Sequence, residues 1–360
     1  MNKDSKIYIA GHRGLVGSAI LKNLQSKGYS NFIFKTHKEL DLTNANLVAD
    51  FFKKEKPEYV FLAAARVGGI IANNEYRADF IYDNLMIQNN VIHHSYKSGV
   101  KKLLFLGSTC IYPKSAPQPM TEESLLTGVL EYTNEPYAIA KIAGIKMCES
   151  YNIQYGTNFI SVMPTNLYGP NDNFDLEKSH VLPALIRKIH LGKSLEDNNW
   201  NSIRKDLNNL PIENVNGKSS KQVILSVLDK YGIKKKENKV SIEIWGTGNP
   251  MREFLWSEDM ADATVFIMES RDFKDCVSPQ NEVRNSHINI GTGKDISIKD
   301  LAFLIKKEIN FSGDFFFNSQ KPDGTMKKLT DVNKLSSLGW RHKVGIENGI
   351  SDIYNWYRKK

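Results

Sequence analysis

Short apolar runs alternate with longer amphipathic ones through the first half of the chain. The period changes from the two-residue step of a strand to the three-to-four-residue step of a helix. Residues 6–10 (KIYIA), 31–35 (NFIFK), 59–63, 102–106 (KLLFL) and 159–163 (FISVM) read as strands. Residues 14–27, 47–54, 80–98 and 137–155 carry helical patterns between them. Alternation of this kind predicts βαβ units on a parallel sheet. The expected fold class is therefore α/β, a doubly wound Rossmann-type sheet with a smaller α/β domain.

The second half is less regular. Residues 180–191, 259–269 and 298–307 look helical, and 241–245 (SIEIW) and 287–290 look extended. The expected division is a dinucleotide-binding domain over 1–177 and a substrate domain mainly over 178–360, with a return to the first domain at 252–270. Residues 196–239 are polar, rich in Asn and Lys, and longer than ordinary loops, so they read as an insertion. One apolar-periodic piece, 223–231, predicts a single helix there, and Lys234-Lys235-Lys236 reads as a solvated helix end. No internal repeat is visible.

Composition narrows the class. With 360 residues and 41% hydrophobic content, the chain can bury a large core without staples. Its longest apolar stretch, residues 59–65, falls far short of the ~20 residues of a membrane helix. The N-terminus lacks the apolar core of a signal peptide. Three cysteines, Cys110, Cys148 and Cys276, form no metal-ligand or disulfide pattern, so a cytoplasmic protein without a metal is expected. A net charge of +8 suits anionic small molecules such as nucleotides. No basic stripe with interleaved aromatics marks a nucleic-acid groove.

Gly11-His12-Arg13-Gly14-Leu15-Val16-Gly17 lies between the first strand and the first helix. In such a loop Gly11 permits the tight turn, Gly14 lets backbone approach a pyrophosphate at the helix N-terminus, and Gly17 allows close helix–strand packing. An NAD enzyme places a carboxylate at the end of its second strand to bind the ribose hydroxyls. This chain has Lys35-Thr36-His37-Lys38 there, its first aspartate thereafter being Asp41. Arg13, Lys35 and His37 suit a 2′-phosphate, so NADP(H) is favoured over NAD(H).

Tyr137 and Lys141 form a YxxxK pair, which one helical turn places on the same face. A nearby ammonium is expected to lower the Tyr pKa, fitting it to exchange a proton with a carbonyl or alcohol oxygen. Ser108 follows the fourth strand, at the carboxyl edge where open α/β sheets bind ligands. A hydroxyl there can hold the substrate oxygen against Tyr137. Glycine loop, strand-end Ser and YxxxK in this order point to carbonyl reduction. Read alone, Cys110 would be a packing residue and His180 a histidine in a helix-cap region, while His93 and His94 sit on a long helix as surface or packing residues.

The segments GHRGLVGSAI, AARVGGI, FLGSTCIYP, EPYAIAKIAGIKMCESYN, SVMPTNLYGPNDNF, SHVLPALIRK, WGTGNPMREFL, INIGTG and KPDGT resemble the extended short-chain dehydrogenase/reductases. Within them the match is to the GDP-L-fucose synthase family, the GDP-4-keto-6-deoxy-mannose 3,5-epimerase/4-reductases. The resemblance implies that Ser108, Tyr137 and Lys141 carry the C4 reduction and that Cys110 and His180 supply acid and base for epimerisation at C3 and C5. A thiol and an imidazole both titrate near neutrality, as an enolate mechanism needs. It implies NADP(H) held by residues 11–17, Lys35, Leu106, Gly107, Lys141, His180 and the stretch Pro164, Thr165, Asn166, Leu167. It places a GDP-linked 4-keto sugar on Lys188, Trp245, Arg252 and Asp323. Arg252 suits a diphosphate because guanidinium matches phosphate oxygens bidentately. Trp245 could stack on a base or fill core.

The resemblance also implies a homodimer packed through the helices around 80–98 and 137–155. The position of Lys188 is usually Arg in the family, which weakens one bidentate contact but keeps the charge. The insertion lies between substrate-contact segments and leaves the sugar open. The main alternative is a C4-reductase of a GDP-4-keto-heptose. An epimerase retaining NAD is disfavoured by the missing carboxylate after strand two, and a cofactor-sensing protein need not keep Ser108, Tyr137 and Lys141 together.

Overall fold

The computed structural model describes residues 1–237, 239–277 and 282–360. The chain divides into two compact units. The first comprises Met1–Asn171, Glu253–Lys294 and Leu329–Val344, the second Asp172–Arg252, Asp295–Lys328 and Gly345–Lys360. The sequence-based boundary at 177 thus falls six residues late, and the returning chain is longer than 252–270.

The first unit is built on a six-stranded parallel sheet. Its strands lie in the order Ile288–Ile290, Phe159–Pro164, Lys102–Leu106, Tyr59–Leu62, Ile7–Ala10, Phe32–Ile33. Nearly every residue of these strands is buried, because helices cover both faces. Alternate side chains enter opposite layers. Tyr8 and Ala10 join Val48, Phe51, Val91 and Ile145 on one side. Ile7 and Ile9 join Ile20, Leu24, Met260 and Ile267 on the other. Helices Ala45–Glu55, Arg77–Lys97 and Glu135–Tyr155 supply the first layer, Leu15–Ser26 and Ser257–Ser270 the second. The class expected from the sequence is the one observed.

Local chemistry sets the helix ends. The Asn44 side chain accepts from the Asn46 and Leu47 N–H groups, and Lys56 closes that helix in the left-handed region. Glu135–Tyr155 opens with Pro136 in its first turn and ends on left-handed Gly156. The second strand is shorter than its apolar pattern: pairing covers only Phe32–Ile33, Phe34 is exposed, and Lys35 lies beyond the sheet.

The second unit has a three-stranded sheet in which Lys239–Trp245 runs parallel to Asp314–Asn318 and antiparallel to Ile233–Lys236. Helices Val181–Glu196, Ile298–Ile309 and Ile346–Lys359 belong to the same unit. The segment expected to hold one helix holds two, Trp200–Asn209 and Lys221–Lys230, capped by the side chains of Asn199 and Ser220. Ile203, Leu207, Ile224 and Leu228 are buried, so this segment is part of the unit's core. Lys234, Lys235 and Lys236 lie on a strand, not at a helix end; Lys235 Nζ donates to Leu195 O at 3.0 Å and to Asn198 Oδ1 at 2.7 Å. Among the described residues no helix is long and apolar enough to cross a membrane, and none form a metal-ligating group.

Candidate active site

In the first unit the strand order reverses between Ile7–Ala10 and Tyr59–Leu62, whose connections leave to opposite sides of the sheet. A crevice opens outside the carboxyl ends of two such strands. Gly11 follows one and Ala63–Ala64 the other. Gly11 has φ +84°, and a Cβ there would stand 2.9 Å from Ala64 N. A Cβ on Gly17 would overlap the Gly11 carbonyl. Gly14 is the N-cap of Leu15–Ser26 and offers no side-chain cap, and that helix has no acidic residue in its first turn. Its leading N–H groups have no intrahelical acceptor and, at the positive end of the helix dipole, suit an anion. His12 Nδ1 is buried without a partner. Glycine cradle, uncapped helix end and orphaned imidazole nitrogen all fit a dinucleotide pyrophosphate.

The imidazole of His12 packs 4.9 Å from the Phe34 ring, and burial, then Arg13, pull its pKa down against an opposing pull from Glu39. Glu39 was not singled out by the sequence. Its carboxylate accepts from Thr36 N and Thr36 Oγ1, both at 2.7 Å. Those bonds lower its pKa first, with Lys35 and Arg13 adding to the fall. The cationic neighbourhood of Arg13 and Lys35 therefore already contains one carboxylate. The T-x-x-E spacing of Thr36 and Glu39, a capping-box signature, was the available signal.

Ser108 stands just past Lys102–Leu106, and its Oγ accepts from Cys110 N at 3.4 Å. Gly107 is tied to the neighbouring strand by its N–H to Val162 O at 2.8 Å. Tyr137 and Lys141 occupy the first turns of Glu135–Tyr155, as their spacing implied. Lys141 is buried, donates to Leu106 O at 2.8 Å, and lies 4.7 Å from the Phe105 ring and 5.7 Å from the Tyr137 ring. The Tyr137 ring meets Phe80 edge-on at 6.4 Å. Cys110 is buried within electrostatic reach of both Tyr137 and Lys141, so four of the five expected catalytic residues converge in this unit.

One electrostatic expectation is reversed. Burial, with Cys110 adding, raises the Tyr137 pKa rather than lowering it, and burial pushes Lys141 down to about 8. The cost of burying a phenolate sets that direction, and Lys141, whose Nζ is bonded to Leu106 O, does not offset it. A phenol that keeps its proton is suited to donate it when negative charge grows on a carbonyl oxygen.

The stretch after Phe159–Pro164 is held in place by Glu253. The Glu253 carbonyl accepts from Asn166 Nδ2 at 2.8 Å and Thr165 Oγ1 at 3.4 Å, and Leu167 pairs with Leu255.

The remaining expected residues lie in the second unit. His180 is the N-cap of Val181–Glu196. Lys188 donates to Glu243 O at 3.1 Å and is lowered by burial to about 8. Trp245 is 53% exposed with Lys321 Nζ 5.1 Å from its ring, so it presents a stacking face and does not fill core. Asp323 accepts from Thr247 N at 2.9 Å and Thr247 Oγ1 at 2.7 Å, fixing the turn after Trp245. Arg252 donates to Thr325 O at 2.6 Å, and burial lowers its pKa against the charge of Asp323. Trp245, Arg252 and Asp323 are thus neighbours.

A parallel sheet that offers a pyrophosphate cradle at its switch point and a Ser–Tyr–Lys set at its carboxyl edge is that of a short-chain dehydrogenase/reductase. The chain belongs to the NAD dependent epimerase/dehydratase family, whose model matches residues 7–206 and 207–291. It is 50% identical to GDP-L-fucose synthase 1 of Arabidopsis thaliana, over 99% of this chain and 94% of the relative. Among solved structures it resembles a GDP-6-OMe-4-keto-L-xylo-heptose reductase from C. jejuni, with TM-score 0.92, 50% identity and coverage of 100% and 99%. It also resembles MlghC, a GDP-mannoheptose C4 reductase from Campylobacter jejuni with NADP bound, with TM-score 0.86, 49% identity and coverage of 99% of each chain.

Proposed function

We propose that this protein is an NADPH-dependent oxidoreductase of GDP-linked 4-keto sugars that epimerises C3 and C5 of GDP-4-keto-6-deoxy-D-mannose and reduces C4, yielding GDP-L-fucose. The observation that carries the reading is the convergence of Ser108, Tyr137, Lys141 and Cys110 at the sheet's carboxyl edge, in a chain 50% identical to a GDP-L-fucose synthase. NADPH, when bound, supplies the hydride to C4. Tyr137 donates its phenolic proton to the C4 oxygen, Ser108 Oγ holds that oxygen, and the Lys141 ammonium offsets the phenolate left behind. Cys110 and His180 remove and return the protons at C3 and C5, which the C4 ketone acidifies through an enolate. Arg13 and Lys35 take the 2′-phosphate, and Lys188, Trp245, Arg252 and Asp323 take the GDP-sugar.

A second reading keeps the reduction and drops the epimerisation, with a GDP-4-keto-heptose as substrate. The TM-score of 0.92 to a heptose reductase at 50% identity favours it. One reaction in D₂O separates the two. Deuterium at C3 and C5 of the product, with NADPH oxidised, supports the first. Oxidation without deuterium supports the second, and no oxidation of either substrate class overturns both.

The proposed assembly is a cytoplasmic homodimer. The buried cysteines suit a reducing compartment. The paired helices Arg77–Lys97 and Glu135–Tyr155 leave Tyr82, Ile139, Ile153 and Tyr155 exposed, an apolar set that a second copy would cover.

A further inference from the structure

Residues 172–180 form the loop that ends on His180. Part of it lies over a cavity of about 300 Å³, lined on the loop side by Asp172, Asn173 and Phe174 and beyond by His190, Ser202 and Tyr357. The Asn173 and Asp175 side chains accept from backbone N–H groups within the loop, and Phe174 ties the loop to the rest of the unit. Its ring is buried 4.6 Å from the Tyr357 ring and 6.1 Å from that of Trp356, and its carbonyl accepts from Arg187 Nη1 at 3.3 Å.

Arg187 is fully buried, about two turns along the helix that His180 begins. Its Nε and Nη2 donate to Asp206 Oδ1 at 3.1 and 2.9 Å, and Nη2 also donates to Leu210 O. The Tyr357 hydroxyl donates to the other oxygen of Asp206. Asp206 and Leu210 come from the polar segment after the helix, Tyr357 from the C-terminal helix. One guanidinium therefore ties the His180 loop to two elements that lie far from it in sequence.

We propose that Asp206 and Tyr357 are positioning residues for epimerisation, holding the 172–180 loop and its terminal His180 in register through Arg187 and Phe174. The segment that read as an insertion is then a brace. The inference rests on the role given to His180 above. A buried ion pair of this kind serves geometry better than stability, since replacing it with apolar groups is often neutral.

The test uses the full-length protein with Tyr357→Phe, which removes the hydroxyl and keeps the ring, and Asp206→Asn alongside. Asp206→Asn strands a buried cation and can fail to fold, so Tyr357→Phe carries the decision. Two readouts are taken. Deuterium wash-in at C3 and C5 is expected to slow about tenfold to a hundredfold, shifting product toward C4-reduced, unepimerised sugar, with NADPH affinity unchanged. Amide exchange across 172–180 is expected to quicken in the variant. Unchanged loop protection overturns the brace, whatever the substrate proves to be. Quicker loop exchange with wild-type wash-in and product stereochemistry overturns the link to epimerisation. A wild-type protein that shows no wash-in counts against the proposed function, and the loop exchange then still decides the brace.

Discussion

A lysine ammonium held in a protein interior destabilises the fold that houses it. Burial lowers Lys141 to about 8, so between that pH and its ordinary 10.5 the unfolded chain binds a proton that the folded chain does not. Stability therefore rises with pH across that window, and the penalty is fully present below it. Lys141→Met is expected to lose C4 reduction while gaining on the order of 2 kcal/mol at pH 7, at about 1.36 kcal/mol per pKa unit less the bond to Leu106 O. Melting curves at pH 7 and pH 10 check this, and a variant no more stable than wild type at pH 7 would refute the buried charge. In the wild-type enzyme the same titration predicts that kcat/KM for reduction falls above a pH of about 8. Tyr137→Phe separates the two chemistries: NADPH oxidation should drop 10²- to 10⁴-fold, roughly, while deuterium wash-in persists. Loss of both would mean that Tyr137 serves epimerisation as well. Asp172 shows the opposite sign. Burial raises its carboxyl to about 7, and its Oδ2 has no partner, so it costs stability as pH rises from its ordinary 3.8 toward 7. Asp172→Asn should flatten that part of the stability–pH curve, read by denaturant titration at pH 5 and pH 8.

At the scale of elements, helix Glu135–Tyr155 is placed by what it lacks. A Cβ on Gly144 would come 2.7 Å from Phe105 Cε1 and 3.0 Å from Gln88 Cδ. Helix propensity favours Ala over Gly by about 1 kcal/mol, but overpacking costs about 1–3 kcal/mol, so packing wins. Gly144→Ala is expected to lower Tm and, by lifting Lys141 off the strand, to reduce kcat; a more stable variant with full activity would show that the helix has slack. The strands and long helices of the first unit were legible because each meets one apolar layer per face and so keeps one period. The strand at Phe32–Ile33 was overestimated because Thr36 and Glu39 turn the chain early, and local side-chain bonds leave no mark on hydrophobic periodicity. Helix Trp200–Asn209 was missed although Trp200, Ile203 and Leu207 hold a helical spacing, because Asn and charged residues swamp three apolar positions. The proposed catalytic set of Ser108, Tyr137 and Lys141 was readable from order and spacing. The raised Tyr137 pKa was not, since desolvation depends on packing that only the fold supplies.

At the scale of the whole molecule, the positive net charge and the exposed apolar helix face make separate statements. The charge of +8 suits anionic ligands, while Tyr82, Ile139, Ile153 and Tyr155 mark a face that water does not favour. Ile153→Asp is expected to turn a dimer into a monomer on analytical ultracentrifugation without altering cofactor binding; a wild-type monomer would remove the dimer from the proposal. The edge strand Ile288–Ile290 of the main sheet pairs with Phe159–Pro164, which leaves the ribosome more than a hundred residues earlier. At about 5–20 residues per second, the nascent chain waits many seconds with an open, largely apolar strand edge and half of its second helical layer unmade. Synthesis of this protein should therefore lean on a chaperone that shields strand edges during that interval, and a stalled chain ending before residue 250 should be found bound to one or aggregated.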